Sequence, residues 1–168
     1  MENLIGDIGL VRDHGWCFIS DQQKSLLPAL AIVVPDAYNR FCVRHLFANF
    51  KKNYQGKELK DLMWGAAKAS TRASFESYMK QMEIVRKEAC DDLRGKSPMQ
   101  WARHAFPYYP KCDMLLNNLC ETFNSKIVEA RKKPLVNMLE NIRRYLMVRI
   151  HKNRDSMAKY EGLICHKI

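Results

Sequence analysis

The chain has 168 residues, 47% of them hydrophobic, and a formal charge of +10 from 28 Lys and Arg against 18 Asp and Glu. That length supports one ordinary domain with a real core, and no segment is biased enough in composition to read as disordered. The basic excess favours a polyanionic partner, because clustered cations gain by releasing counterions from phosphates. MENLIGDIG has no basic-then-apolar pattern, so no signal peptide is expected. The longest apolar run, residues 26–34, is short and holds Pro28, so no membrane span is expected. Six cysteines, at 17, 42, 90, 112, 120 and 165, form no Cys-x-x-Cys pair, which fits reduced thiols inside a cell.

In chain order, MENLIGDIGLVRD reads as the tail of a helix whose beginning is absent. WCFIS (16–20) predicts a strand, and YNRFC (38–42) a weaker second one. Between them, Leu26, Leu27, Leu30, Val33 and Val34 mark a helix face that Pro35 stops. Val43, Leu46, Phe47, Phe50 and Tyr54 make the next stripe, ended by Gly56. Leu59, Leu62, Met63 and Ala66 give another. A longer stripe runs from Phe75 through Met79, Met82 and Val85 to Ala89, ending at Gly95. Ser97-Pro98 looks like a cap with proline at the first helical position, and PYYP (107–110) is a loop. Asp113 is expected to cap a helix reaching Arg131, and Pro134 to open a last one reaching about Lys152.

The predicted fold class is therefore α/β and mostly helical, with a sheet of only one or two strands. Four segments are expected: a small α/β piece (1–55), a helical block (56–106), helices carrying a basic stretch (107–152) and a tail (153–168). Residues 131–154 hold eight Lys and Arg, among them Arg131, Lys132, Lys133, Arg143, Arg144 and Arg149, with Glu140 as their only acid. Such a stretch is either a solvated helix face or a grip on an anion.

Two acids and one Cys-His pair are the candidates for chemistry. Asp21 follows the first strand directly. It reads either as an N-cap, since Ser20-Asp21-Gln22-Gln23 resembles a capping box, or as an acid at a strand's carboxyl end, where open α/β sheets bind ligands. Glu121, in LLNNLCETFNSKI, has Asn117, Asn118, Asn124 and Ser125 as helical neighbours and no cation at i+4. It reads either as a plain surface glutamate or as a carboxylate available to a metal. Cys42-Val-Arg-His45 puts a thiol and an imidazole on one side of a helical turn. Zinc wants four ligands, and Cys112, Cys120 and His104 show no second pair with metal-ligand spacing, so a buried polar brace is the competing reading.

Five stretches, GWCFISDQQKSLLPAL, RFCVRHLFANFKK, GKELKDLMWGAAKAS, YPKCDMLLNNLCETFNSKIVEARKKP and NMLENIRRYLM, together resemble a Mutator-like transposase of the plant type. The resemblance implies an RNase H-like catalytic domain, incomplete here, with an all-helical insertion holding Trp64 and Trp101. It matches Asp21 to the second metal-binding acid, Glu121 to the third, and Cys42 and His45 to the family's Cys-x-x-His signature. Implied cofactors are two Mg²⁺ or Mn²⁺ ions about 4 Å apart, which activate the attacking oxygen and steady the leaving one. The implied partner is DNA, with no membrane, a nuclear location, and an oligomer or a complementing transposase chain as a further partner. The family's first acid belongs upstream of this sequence, since Asp7 and Asp13 follow no strand-like run, and Cys165-His166 is no zinc knuckle. The expectation is thus a transposase fragment that does not cut DNA alone. Two alternatives accompany it: a DNA-binding remnant or domesticated regulator, and a decayed transposon reading frame made aggregation-prone by an unpartnered strand.

Overall fold

The computed structural model describes residues 15–21 and 25–160. The expected helix tail at the start, Asp7, Asp13, Gln22, Gln23 and Cys165-His166 lie outside them. Two compact units divide between Asn117 and Asn118. The described residues are mostly helical with two strands, as the patterning predicts, and the strands pair in parallel.

The first unit opens with β1 (Cys17–Ser20), α1 (Leu26–Val33) and β2 (Tyr38–Phe41). Parallel strands cannot be joined by a tight hairpin, so a helical crossover separates them. β1 and β2 pair in register from Cys17↔Tyr38 to Ser20↔Phe41. α1 begins after Ser25 as its N-cap, so neither Ser20 nor Asp21 caps it, contrary to the capping-box reading. Its end at Val34-Pro35 follows from the proline, which disfavours helical backbone in the residue before it.

Four helices then form the body of the unit: α2 (Val43–Asn53), α3 (Lys57–Lys68), α4 (Arg72–Val85) and α5 (Lys87–Arg94). Val43, Leu46 and Phe50 of α2 face Leu59, Met63 and Ala66 of α3, as their helical spacing requires. Gly56 supplies the turn between them with a φ of 125°, a conformation that side chains oppose. Thr71 caps α4 by accepting a hydrogen bond from the Ser74 N–H at 3.2 Å.

The single long stripe expected from Phe75 to Ala89 is in fact two helices, broken at Arg86, which is extended. A continuous helix would carry on past Ile84 and Val85, both exposed, and away from the core. The break turns α5 back, so that Ala89, Cys90 and Leu93 are buried. Cys90 Sγ then donates to the Met79 carbonyl at 3.3 Å, and Arg94 reaches Glu76 and Glu83 at 3.6 and 3.9 Å.

Two short 3₁₀ turns, Pro98–Gln100 and Arg103–Ala105, close the helical body. Ser97 precedes the first, with Pro98 at its first position, as expected. Between the turns Trp101 is fully buried, its ring 5.6 Å from Phe75. Asp113 caps no helix: residues 111–117 are irregular, and Asp113 lies 3.6 Å from Arg103 instead. The cause is tertiary. Leu115 gives its carbonyl to the Val43 N–H at 2.8 Å, and the Cys112 carbonyl accepts from Arg40 Nη1 at 2.7 Å, so this run is drawn out along the body.

The second unit holds α6 (Asn118–Lys126), α7 (Val128–Arg131) and α8 (Leu135–Ala158). The helix expected to reach Arg131 is interrupted at Ile127, a buried residue. Pro134 precedes α8, as expected of a residue that cannot donate into a helix, and α8 runs past Lys152 to Ala158. Phe123 of α6 lies 6.4 Å from Tyr145 of α8, and Lys133 bonds Asn141 at 3.2 Å.

Candidate functional site

The carboxyl ends of β1 and β2 are tied by one hydrogen bond, from the Cys42 N–H to the Ser20 carbonyl at 2.8 Å. Asp21 is the next residue after β1, half-buried, and Cys42 the next after β2. Both therefore sit at the same edge of the parallel pair, the edge where open α/β sheets receive ligands. Cys42 is also the N-cap of α2, extended and fully buried, while His45 follows on its first turn. The Cys42 sulfur and a His45 ring nitrogen lie within 4.8 Å. Two such donors are half of a tetrahedral zinc set. Of the other donors considered, His104 is stacked on Phe75 at 4.4 Å and Cys120 is exposed on α6 of the second unit.

Glu121 belongs to the second unit, in the first turn of α6 and half-buried. Unsatisfied N–H groups at a helix start favour an acid there, which gives this carboxylate a local reason to stand among amides. Of the amides near it in sequence, Asn124 accepts from Arg131 at 2.8 Å.

The basic stretch is only partly available. Arg143 is locked to Glu140 by two hydrogen bonds of 2.8 Å, which hold that carboxyl below its usual range. Lys132 pairs with Glu129 at 2.7 Å, and Arg149 donates to the Tyr145 hydroxyl at 3.2 Å. At about 100° per residue, Arg143 and Arg154 share one side of α8 while Arg144 and Arg149 lie on others. The charge surrounds the helix and does not form one stripe.

Sequence reasoning missed Arg40. This β2 residue is almost wholly buried, with its guanidinium 3.7 Å above the Phe106 ring and its Nε and Nη2 lacking hydrogen-bond partners. Beside it, burial pushes the Cys17 thiol up, the Arg40 charge opposes that, and Cys112 adds to it. The only signal was an arginine inside the strand pattern YNRF.

No family model, curated protein or solved structure matches this chain. Among the described residues no helix is long and apolar enough to cross a membrane.

Proposed function

We propose that the chain is a fragment of a Mutator-like DNA transposase, RNase H-like in its sheet, with Asp21 and Glu121 as metal-binding carboxylates. The observation that carries this reading is the order at the sheet edge: strand, Asp21, parallel strand, then Cys42 and His45 on the following turn. That order agrees with the motifs on which the resemblance rests. Asp21 directly follows β1, and carboxylate oxygen donors suit Mg²⁺ or Mn²⁺. Bound ions would supply the charge that activates an attacking oxygen and steadies a leaving one. Asp21 and Glu121 would hold them, while Cys42 and His45 brace the start of α2. Two carboxylates alone hold such ions weakly, and the substrate of this chemistry would be DNA in the nucleus.

Manganese titration of isotope-labelled protein tests this directly. Amides near Asp21 and Glu121 should broaden together at millimolar Mn²⁺, and Asp21→Asn should abolish both effects. Absence of broadening at either residue removes the catalytic reading.

A second reading, a DNA-binding remnant without cleavage, is favoured by α8, on which Arg143 and Arg144 are exposed and no residue is buried. DNA affinity should then fall steeply with salt. Arg143→Glu with Arg144→Glu should lower affinity at least tenfold, and unchanged affinity would remove α8 as the contact.

A further inference from the structure

Ser70, the start of the second 3₁₀ turn and residues 106–108 and 111–113 line an open pocket of about 310 Å³ in the first unit. That is at the lower end of the range for small-ligand pockets. Arg103, His104 and Lys111 line it, and Asp113 is its only acid. Arg103 Nε and Asp113 Oδ2 are 3.6 Å apart, and the Asp113 side chain is 78% exposed. So loose and solvated a pair contributes little, and an incoming anion can take its place.

The walls are held from behind. Arg40 stacks on Phe106 at 3.7 Å and binds the Cys112 carbonyl, and both of those residues face the cavity. His104 rests on the core ring of Phe75, and its Nδ1 is buried without a hydrogen-bond partner. Lys111 is the one described residue other than glycine with a positive φ, at 47°. A lysine gains nothing locally from a left-handed backbone, which costs on the order of 1 kcal/mol. Lys111 closes a turn with its N–H on the Tyr108 carbonyl at 2.9 Å, and this cation lines the pocket. Pro107, Phe106 and Tyr108 supply an apolar side.

We propose that this cavity binds a phosphomonoester, with Arg103 and Lys111 holding the phosphate and the Phe106–Tyr108 side receiving the ring attached to it. A phosphate alone would leave much of the volume unfilled, and two cations against one displaceable acid suit a dianion. The shared chemistry is a nucleotide 5′-phosphate, present both on free nucleotides and at strand ends. The pocket stands on the first unit alone and does not depend on Asp21 or Glu121 binding metal.

Amide chemical shifts of the full chain, titrated with inorganic phosphate, thymidine 5′-monophosphate and a short oligonucleotide with or without its 5′-phosphate, test the proposal. Saturable shifts across residues 103–113 are expected, with the monophosphate tighter than phosphate. Binding of the nucleotide and the phosphorylated strand alike assigns the phosphate end in either form. Binding of the phosphorylated strand alone assigns a strand end. Lys111→Gly removes the ammonium and relieves the backbone, so it should keep the melting temperature yet weaken binding at least tenfold. The absence of saturable shifts at millimolar ligand, equal response to the unphosphorylated strand, or wild-type affinity in Lys111→Gly would overturn it.

Discussion

Replacing Thr71 with Ala takes away the acceptor that satisfies the Ser74 N–H at the start of α4. The loss should be about 1 kcal/mol, read from urea unfolding. His104 gives a pH-dependent counterpart. Burial is the main cause that lowers its pKa from 6.5, the Glu76 charge opposes this, and the Arg72 charge adds to it. The native state therefore resists protonation more than the unfolded chain does. Stability is full above the unfolded value and is lost as pH falls through 6.5 toward the lower folded value. Between neutral and mildly acidic pH the wild-type melting temperature should drop further than that of His104→Asn. Equal slopes would mean that His104 is not the group responsible. At this scale the sequence placed Cys42 and His45 on one helical turn and Asp21 directly after a strand, while leaving open whether Asp21 caps the next helix. It could not mark Arg40, because Phe106 and Cys112, which cover it, are far away in the chain, and nothing in a lysine's own preferences marks Lys111 for a left-handed backbone.

Helices were legible wherever an apolar stripe kept its period. α2 and α3 fall where Val43–Phe50 and Leu59–Ala66 place them, since periodic burial is the same physical fact in sequence and fold. The breaks at Arg86 and Ile127 were not legible, because neither position carries Gly or Pro and both are set by packing. Asp113 misled for a related reason: its capping pattern is local, and the pull of Val43 and Arg40 on residues 112–115 outweighs it. The end of α4 offers a test. Met82 is fully buried and Ile84 is 86% exposed, only two residues apart. Met82→Lys should unfold the first unit, since a buried ammonium without a partner costs several kcal/mol. Ile84→Lys should stay within about 0.5 kcal/mol of wild type by thermal unfolding. If the two cost the same, α4 does not end its core face where described.

Across the molecule, the two units differ in how much they bury. The first has a continuous core from Phe41 through Trp101 to Leu115, whereas the 24 residues of α8 include none that is buried. Amides of α3 and α4 should exchange with solvent far more slowly than those of α8, measured residue by residue. Comparable protection would show that α8 is covered in solution. This division was not legible in the sequence, where residues 107–117 read as the start of the later helices; their hydrogen bonds run to β2 and α2. The described cysteines span three degrees of burial, with Cys17 and Cys112 half-buried in the first unit. Cys42 and Cys90 are sealed in the first unit, while Cys120 lies open in the second. A thiol-reactive dye should modify Cys120 first and half-buried Cys17 and Cys112 more slowly, and should reach Cys42 and Cys90 only as fast as the interior breathes. The chain thus carries its own stopwatch, whose slowest hand is the pair of thiols sealed in the core of the first unit.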